Sequence, residues 1–91
     1  MALDIRHLAA AHRFETTVDG VVCELEYSLQ GSVMSITHTG VPEQVGGRGI
    51  ASELVRTALE TARHEGWRVV PACSYAKLWM ERHPDFSDLL A

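Results

Sequence analysis

Gly46-Gly47-Arg48-Gly49-Ile50-Ala51 is the stretch of this sequence whose residue types most directly suggest chemistry. It follows a β-type run, Val33 to Val41, and opens the most regular helical pattern in the chain. A helix start normally carries Ser, Thr, Asp or Asn to satisfy its free N–H groups. Here glycines and one arginine stand there instead. Bare N–H groups at the positive end of a helix dipole make an anion site, and glycine lets a phosphate approach the backbone closely. The competing reading is a flexible surface turn; the strand before and the amphipathic helix after favour the phosphate reading. Two phosphate loops are excluded. No Gly-Lys dipeptide supports a Walker loop. The Gly-x-Gly of Gly47-Arg48-Gly49 is followed by Ser52, where the dinucleotide fingerprint needs glycine or alanine.

The elements that must hold this loop are readable. Ile50, Ala51, Leu54, Val55, Ala58, Leu59 and Ala62 recur as one apolar helical face, and Glu53, Arg56, Thr57, Glu60 and Arg63 fill the other. Arg56 with Glu60, and Glu60 with His64, are spaced for pairing. Gly66 ends the helix. Upstream, Arg13 to Val18 reads as a strand and Asp19-Gly20 as a type I′ turn. Val21 to Gln30 then alternates, with Val21, Cys23, Leu25, Tyr27 and Leu29 on one face. After the Gly31-Ser32 turn, Val33 to Val41 forms the next strand, with Met34, Ile36 and His38 expected on one face. Residues 1 to 11 are ambiguous between a short strand and a helical turn at Leu8 to His12. Trp67 to Ala72 reads as a strand, so a strand–helix–strand crossover brings in a locally parallel pair. Ser74 is the expected cap of a helix from Tyr75 to Arg82, stopped by His83-Pro84. Phe86, Leu89 and Leu90 are expected to pack back. The fold class is α+β, with a mixed, mostly antiparallel sheet.

The chain has 91 residues, enough for a single domain over 1–91. Such a domain buries roughly 65% of its unfolded surface. Eight Lys+Arg against twelve Asp+Glu give a net charge of −4, which argues against nucleic acid as the main partner. No apolar run is long enough to span a membrane, and no basic-then-apolar leader opens the chain. A cytoplasmic protein is therefore expected. Two cysteines, Cys23 and Cys73, make no disulfide framework, and the five histidines are scattered, so no metal is expected.

Val41-Pro42, Gly47-Arg48-Gly49-Ile50-Ala51, an amphipathic helix, a strand and a short helix together resemble the GNAT superfamily of acyl-CoA-dependent N-acetyltransferases. The similarity is greatest to a group of very short GNAT-like proteins. They share a His-Thr-x-Val-Pro run (His38 to Pro42), a Pro-x-Cys run (Pro71 to Cys73) and a His-Pro-x-aromatic run (His83 to Phe86). The resemblance covers about Phe14 to Leu90. It implies a minimal GNAT-like fold with a β-α-β unit that binds coenzyme A, acetyl-CoA as co-substrate, and an unidentified amine as acceptor, either a small molecule or an exposed group. The alternative is a non-catalytic CoA-binding or protein-interaction module of the same fold. The family's pyrophosphate loop carries Arg or Gln at its first position. Gly46 falls there in the register that starts the helix face correctly, and Gln44 falls there in the other. The resemblance puts the cofactor on Thr39, Val41, Gly47, Arg48, Gly49, Ile50, Ala51 and Ser52.

For catalysis, the resemblance makes His38 the candidate base, since an ordinary imidazole titrates near neutrality and this one ends the strand that would line the cofactor. A histidine that merely holds the loop is the other reading. Cys73 ends the following strand, and the two are expected to face one cleft. Cys73 is a candidate nucleophile, a thiol near the thioester, or packing. The family's tyrosine acid falls at Trp79, whose indole cannot donate a proton at neutral pH. Tyr75 lies one turn earlier, and His83 reads as a helix-end residue. Only a hairpin stands where larger relatives have two acceptor-binding helices.

Overall fold

In the computed structural model, which describes residues 3–91, five strands form one sheet in the order β1-β2-β3-β4-β5. These are β1 (Arg6–Leu8), β2 (Arg13–Val18), β3 (Val21–Gln30), β4 (Val33–Gly40) and β5 (Arg68–Pro71). The first four are antiparallel neighbours, and β5 lies parallel to β4. Helix α1 (Ile50–Glu65) makes the crossover between β4 and β5, and α2 (Ser74–Arg82) follows β5. Short 3-10 turns sit at Ala9–Ala11, Glu43–Val45 and Pro84–Leu89.

The helices cover one face of the sheet. Phe14, Leu25, Met34, Ile36 and Val69 from the strands meet Ile50, Leu54, Val55, Ala58, Leu59 and Ala62 of α1, all essentially buried. Each large side chain removed from water here contributes about 1.5–3 kcal/mol. Trp79, Met80, Phe86 and Leu89 close the core from the C-terminal side, whereas Leu90 stays 44% exposed and bridges to Val69. The other face carries Thr17, Val22, Ser28, Gln30, His38 and Val70, all exposed, with no helix over them among the described residues.

Local chemistry sets the boundaries. Asp19 and Gly20 both have positive φ (52° and 76°), which is what a two-residue turn matched to strand twist requires. Gly66 closes α1 in a left-handed conformation, with its N–H on Arg63 and the Trp67 N–H on the Ala62 carbonyl. That bond takes Trp67 out of the strand. The ambiguous start holds both elements: Arg6–Leu8 is a strand and Ala9–Ala11 a single 3-10 turn, closed at His12 with φ 53°. On α1, Arg56 lies 4.0 Å from Glu53 rather than pairing with Glu60, because its guanidinium is drawn over the Trp79 ring at 5.3 Å. Among the described residues, no helix is long and apolar enough to cross a membrane.

One irregularity reorders the site. The β3–β4 register runs Leu25↔Thr39, Glu26↔His38, then Tyr27↔Ile36, so Thr37 is an extra residue on β4. Its hydroxyl donates to the Glu26 carbonyl at 3.3 Å. A bulge of this kind shifts the side-chain alternation by one. Met34 and Ile36 face the core as expected, but His38 turns to the uncovered face and Thr39 to the helix side.

Candidate functional site

The loop between β4 and α1 is pinned by Val45, which is 1% exposed within its 3-10 turn. The chain then passes through Gly47 (φ 76°) and Gly49 (φ 78°), and Gly49 is the N-cap of α1. No side chain caps the helix, and its first bond runs from the Glu53 N–H to the Gly49 carbonyl at 3.1 Å. The N–H groups of Ile50, Ala51 and Ser52 precede that bond and are the orphan donors of the helix start. A Cβ built on Gly47 or Gly49 would meet nothing within 4 Å. Left-handed glycines, an uncapped helix and open space above them are what a cradle for a pyrophosphate needs. Among the described residues, no group of His, Cys, Asp or Glu side chains is arranged to hold a metal ion.

Arg48, expected at the phosphate, instead reaches Asp19 at the tip of the β2–β3 hairpin, with Nη1 to Oδ2 at 2.7 Å. Both side chains are exposed, so this pair adds little stability. It nevertheless ties the loop to the hairpin. Ser52 accepts the Trp79 indole N–H at 2.8 Å, which fastens the start of α1 to α2. Trp79 also stacks on His83 at 3.6 Å, and the His83 Nδ1 bonds the Trp79 carbonyl at 2.7 Å. The Trp79 indole N–H and the His83 Nδ1 are thus both engaged within the fold. Tyr75, in the first turn of α2, is 39% exposed.

Strands β4 and β5 part beside the loop. Their pairing ends at Ile36↔Pro71, and the Cys73 N–H still reaches the Ile36 carbonyl at 2.9 Å. From Thr37 to Gly40, β4 keeps β3 on one side and has no strand partner on the other. Thr39 and Cys73 meet here, Oγ1 to Sγ at 3.7 Å. The Cys73 sulfur also accepts the Ala76 N–H at 3.3 Å, so Cys73, not Ser74, is the N-cap of α2. The backbone decides this: Cys73 has the extended φ/ψ (−92°, 147°) of a cap.

His38 and Cys73 therefore do not share a face. His38 lies on the uncovered side, opposite Glu26 in the register and 4.0 Å from Glu24. Cys73 and Thr39 lie on the helix side. Both flank the same free edge of β4, one from each side of the sheet.

The cap supplies a stability test. Cys73→Ala removes an acceptor from a helix start and should lower stability by about 1 kcal/mol. In a domain of this size that is roughly 4–8 °C in Tm. Cys73→Ser keeps an acceptor in place and should stay closer to the parent in a melting curve. Equal losses in the two variants would mean that the sulfur is not acting as a cap.

The chain matches the GCN5-related N-acetyl-transferase family model over residues 13–89. The solution NMR structure of a GCN5-like candidate N-acetyltransferase from Staphylococcus aureus superposes with a TM-score of 0.77 and 26% sequence identity. The match covers 98% of this chain and 88% of that one. With this family match over most of its length, on an α+β sheet whose crossover helix begins in a glycine cradle, the chain belongs to the GCN5-related N-acetyltransferases.

Proposed function

We propose that this protein is an acetyl-CoA-dependent N-acetyltransferase that receives acetyl-CoA from the helix side of the sheet and an amine from the uncovered side. The observation that carries the reading is the uncapped start of α1, with left-handed Gly47 and Gly49 and open space above both. The backbone N–H groups from Gly47 to Ser52 hold the pyrophosphate, favoured by the helix dipole. The pantetheine arm runs along the free edge of β4 at Thr39 and Val41, replacing the strand partner that β5 no longer provides. Backbone donors on that edge polarise the thioester carbonyl as charge develops on its oxygen.

The amine attacks the carbonyl carbon, a C–N bond forms, and the C–S bond breaks. His38 takes the proton lost by the attacking nitrogen, and the CoA thiolate takes one from water. In the variant route, the Cys73 thiol attacks the thioester carbonyl, its proton goes to the departing CoA sulfur, and CoA leaves as the thiol; the amine then attacks the acetyl-Cys73 thioester and its proton returns to the departing Cys73 sulfur. Mass spectrometry separates the routes: an acetylated Cys73 after incubation with acetyl-CoA supports the second. Its absence with transfer activity retained supports direct attack.

Trp79 favours a second reading, because it fills the family's acid position with a side chain whose N–H is already committed to Ser52. In that reading the protein binds CoA without turnover. Two measurements decide. Isothermal titration with CoA should give a one-site isotherm. CoA release from acetyl-CoA should then rise in the presence of a lysine peptide, a free peptide α-amine or spermidine. Binding without release on any of the three supports the module; no binding removes both readings.

A further inference from the structure

We propose that Glu24 and Gly40 position the His38 imidazole: Gly40 clears the space the ring occupies, and Glu24 faces the outer nitrogen of that ring. The inference rests on the reading of His38 as a catalytic base, and it makes Glu24 and Gly40 positioning residues for it.

Three observations converge. First, a Cβ built on Gly40 would stand 2.8 Å from His38 Nε2, closer than real Cβ contacts come. The Gly40 backbone is not in the left-handed region, so glycine is not needed there for its φ. What keeps the ring where it lies is the absence of a side chain at this position. Second, the same Cβ would sit 3.6 Å from Glu24 Cγ, because Glu24 is the register partner of Gly40 across β3 and β4. The ring thus lies folded over Gly40 with its Nε2 toward the Glu24 carboxylate, Oε2 at 4.0 Å. That separation is longer than a hydrogen bond, so Glu24 faces the ring without bonding it and becomes a charge partner only once the imidazole has taken up a proton. Third, Glu24 is itself fixed. Arg13 bonds its Oε1 through Nη2 and reaches Glu15 through Nε at 3.0 Å. One carboxylate oxygen is anchored by Arg13, and the other is turned to His38.

Glu26 is the register partner of His38 on β3. The Thr37 bulge brings His38 into this row; without it the ring would point at the core. The arrangement leaves the imidazole 55% exposed and open to an acceptor. A base is effective only within hydrogen-bond reach of the proton it removes.

The test uses Gly40→Ala and Glu24→Gln in the whole protein. Alanine at 40 displaces a flexible ring end and not backbone, so the fold should survive. Glu60→Gln, on the exposed face of α1, is the control. In NMR spectra without ligand, Gly40→Ala and Glu24→Gln should move the His38 ring resonances, and Glu60→Gln should not. Ring resonances unchanged in both variants would overturn the proposal, whatever the protein's activity. With the amine that gives the highest turnover, each variant should lower kcat about tenfold at unchanged KM for acetyl-CoA, as part of what a general base contributes. Made in a His38→Ala background, each should cost nothing more, because residues that act through one group are not additive. A full additional loss in that background would overturn the positioning role. If His38→Ala alone keeps full activity, it is the base assignment that fails, and the ring resonances still decide whether Glu24 and Gly40 hold the imidazole.

Discussion

Gly49→Glu should weaken coenzyme A binding by roughly two orders of magnitude while the fold persists. Three effects act together. The new side chain occupies the open space above the N-cap of α1. Its carboxylate competes for the N–H groups that would hold the pyrophosphate, and an anion at a helix N-terminus can be worth up to about 2 kcal/mol. It also repels the phosphates, by about 1–4 kcal/mol at contact distance in the range between water and a protein surface. The substitution carries a backbone cost too, because Gly49 has φ 78° and an L-residue there is strained by about 1–2 kcal/mol. That cost must be separated from the effect on the ligand. Gly31→Glu provides the separation. Gly31 also has positive φ (60°) and empty space around it, but it sits in the β3–β4 turn, at the far end of β4 from the loop. In a denaturant titration Gly49→Glu should lose no more stability than Gly31→Glu, because its carboxylate recovers part of the backbone cost at the helix start, and only Gly49→Glu should lose the CoA isotherm. Equal CoA affinities in the two would place the pyrophosphate elsewhere.

How much of this was legible in the sequence differs between the frame and the site. The span of β3, Val21–Gln30, follows from alternation with turn signals at both ends, and the structure places it there. The buried face of α1 follows from its period, and Gly66 is read correctly because only one left-handed residue can close that helix. The order of elements, the parallel β4–β5 pair and the GNAT-like class were all available from these patterns and the motifs. The site was less legible. The bulge at Thr37 has no signal, since neither glycine nor proline marks it, yet it moves His38 to the other face of the sheet. The cap of α2 falls on Cys73 and not Ser74 because the backbone geometry at residue 73, which propensity does not report, sets the helix start. The Arg48–Asp19 and Trp79–Ser52 contacts join residues 29 and 27 positions apart, and no local pattern encodes them. Periodicity reports which face a residue belongs to only while the register is unbroken, so a one-residue insertion in a strand is the error such reading is most exposed to.

That bulge separates His38 from the loop, which gives His38→Ala a specific expected result. The loop before α1 and Thr39 lie on the helix side, and His38 lies on the other. Removing the imidazole should therefore leave CoA affinity and the KM for acetyl-CoA unchanged, while kcat for amine transfer falls by roughly 10²–10⁴, the range a general base contributes. The pattern follows from where the group acts: a loss confined to kcat marks an interaction made in the transition state and not in cofactor binding. Stability should barely move, because the side chain is 55% exposed and such positions usually change stability by no more than about 0.5 kcal/mol. Cys73→Ser is the informative partner, since it keeps the cap of α2 and removes the thiol. If transfer proceeds through an acetylated Cys73, Cys73→Ser should match or exceed the loss of His38→Ala, and the adduct should disappear. If the amine attacks directly, Cys73→Ser should stay within a few-fold of the parent while His38→Ala remains impaired. A His38→Ala enzyme with parental kcat on an accepted amine would remove His38 as the base. The proton would then have to leave through water on the uncovered face of the sheet.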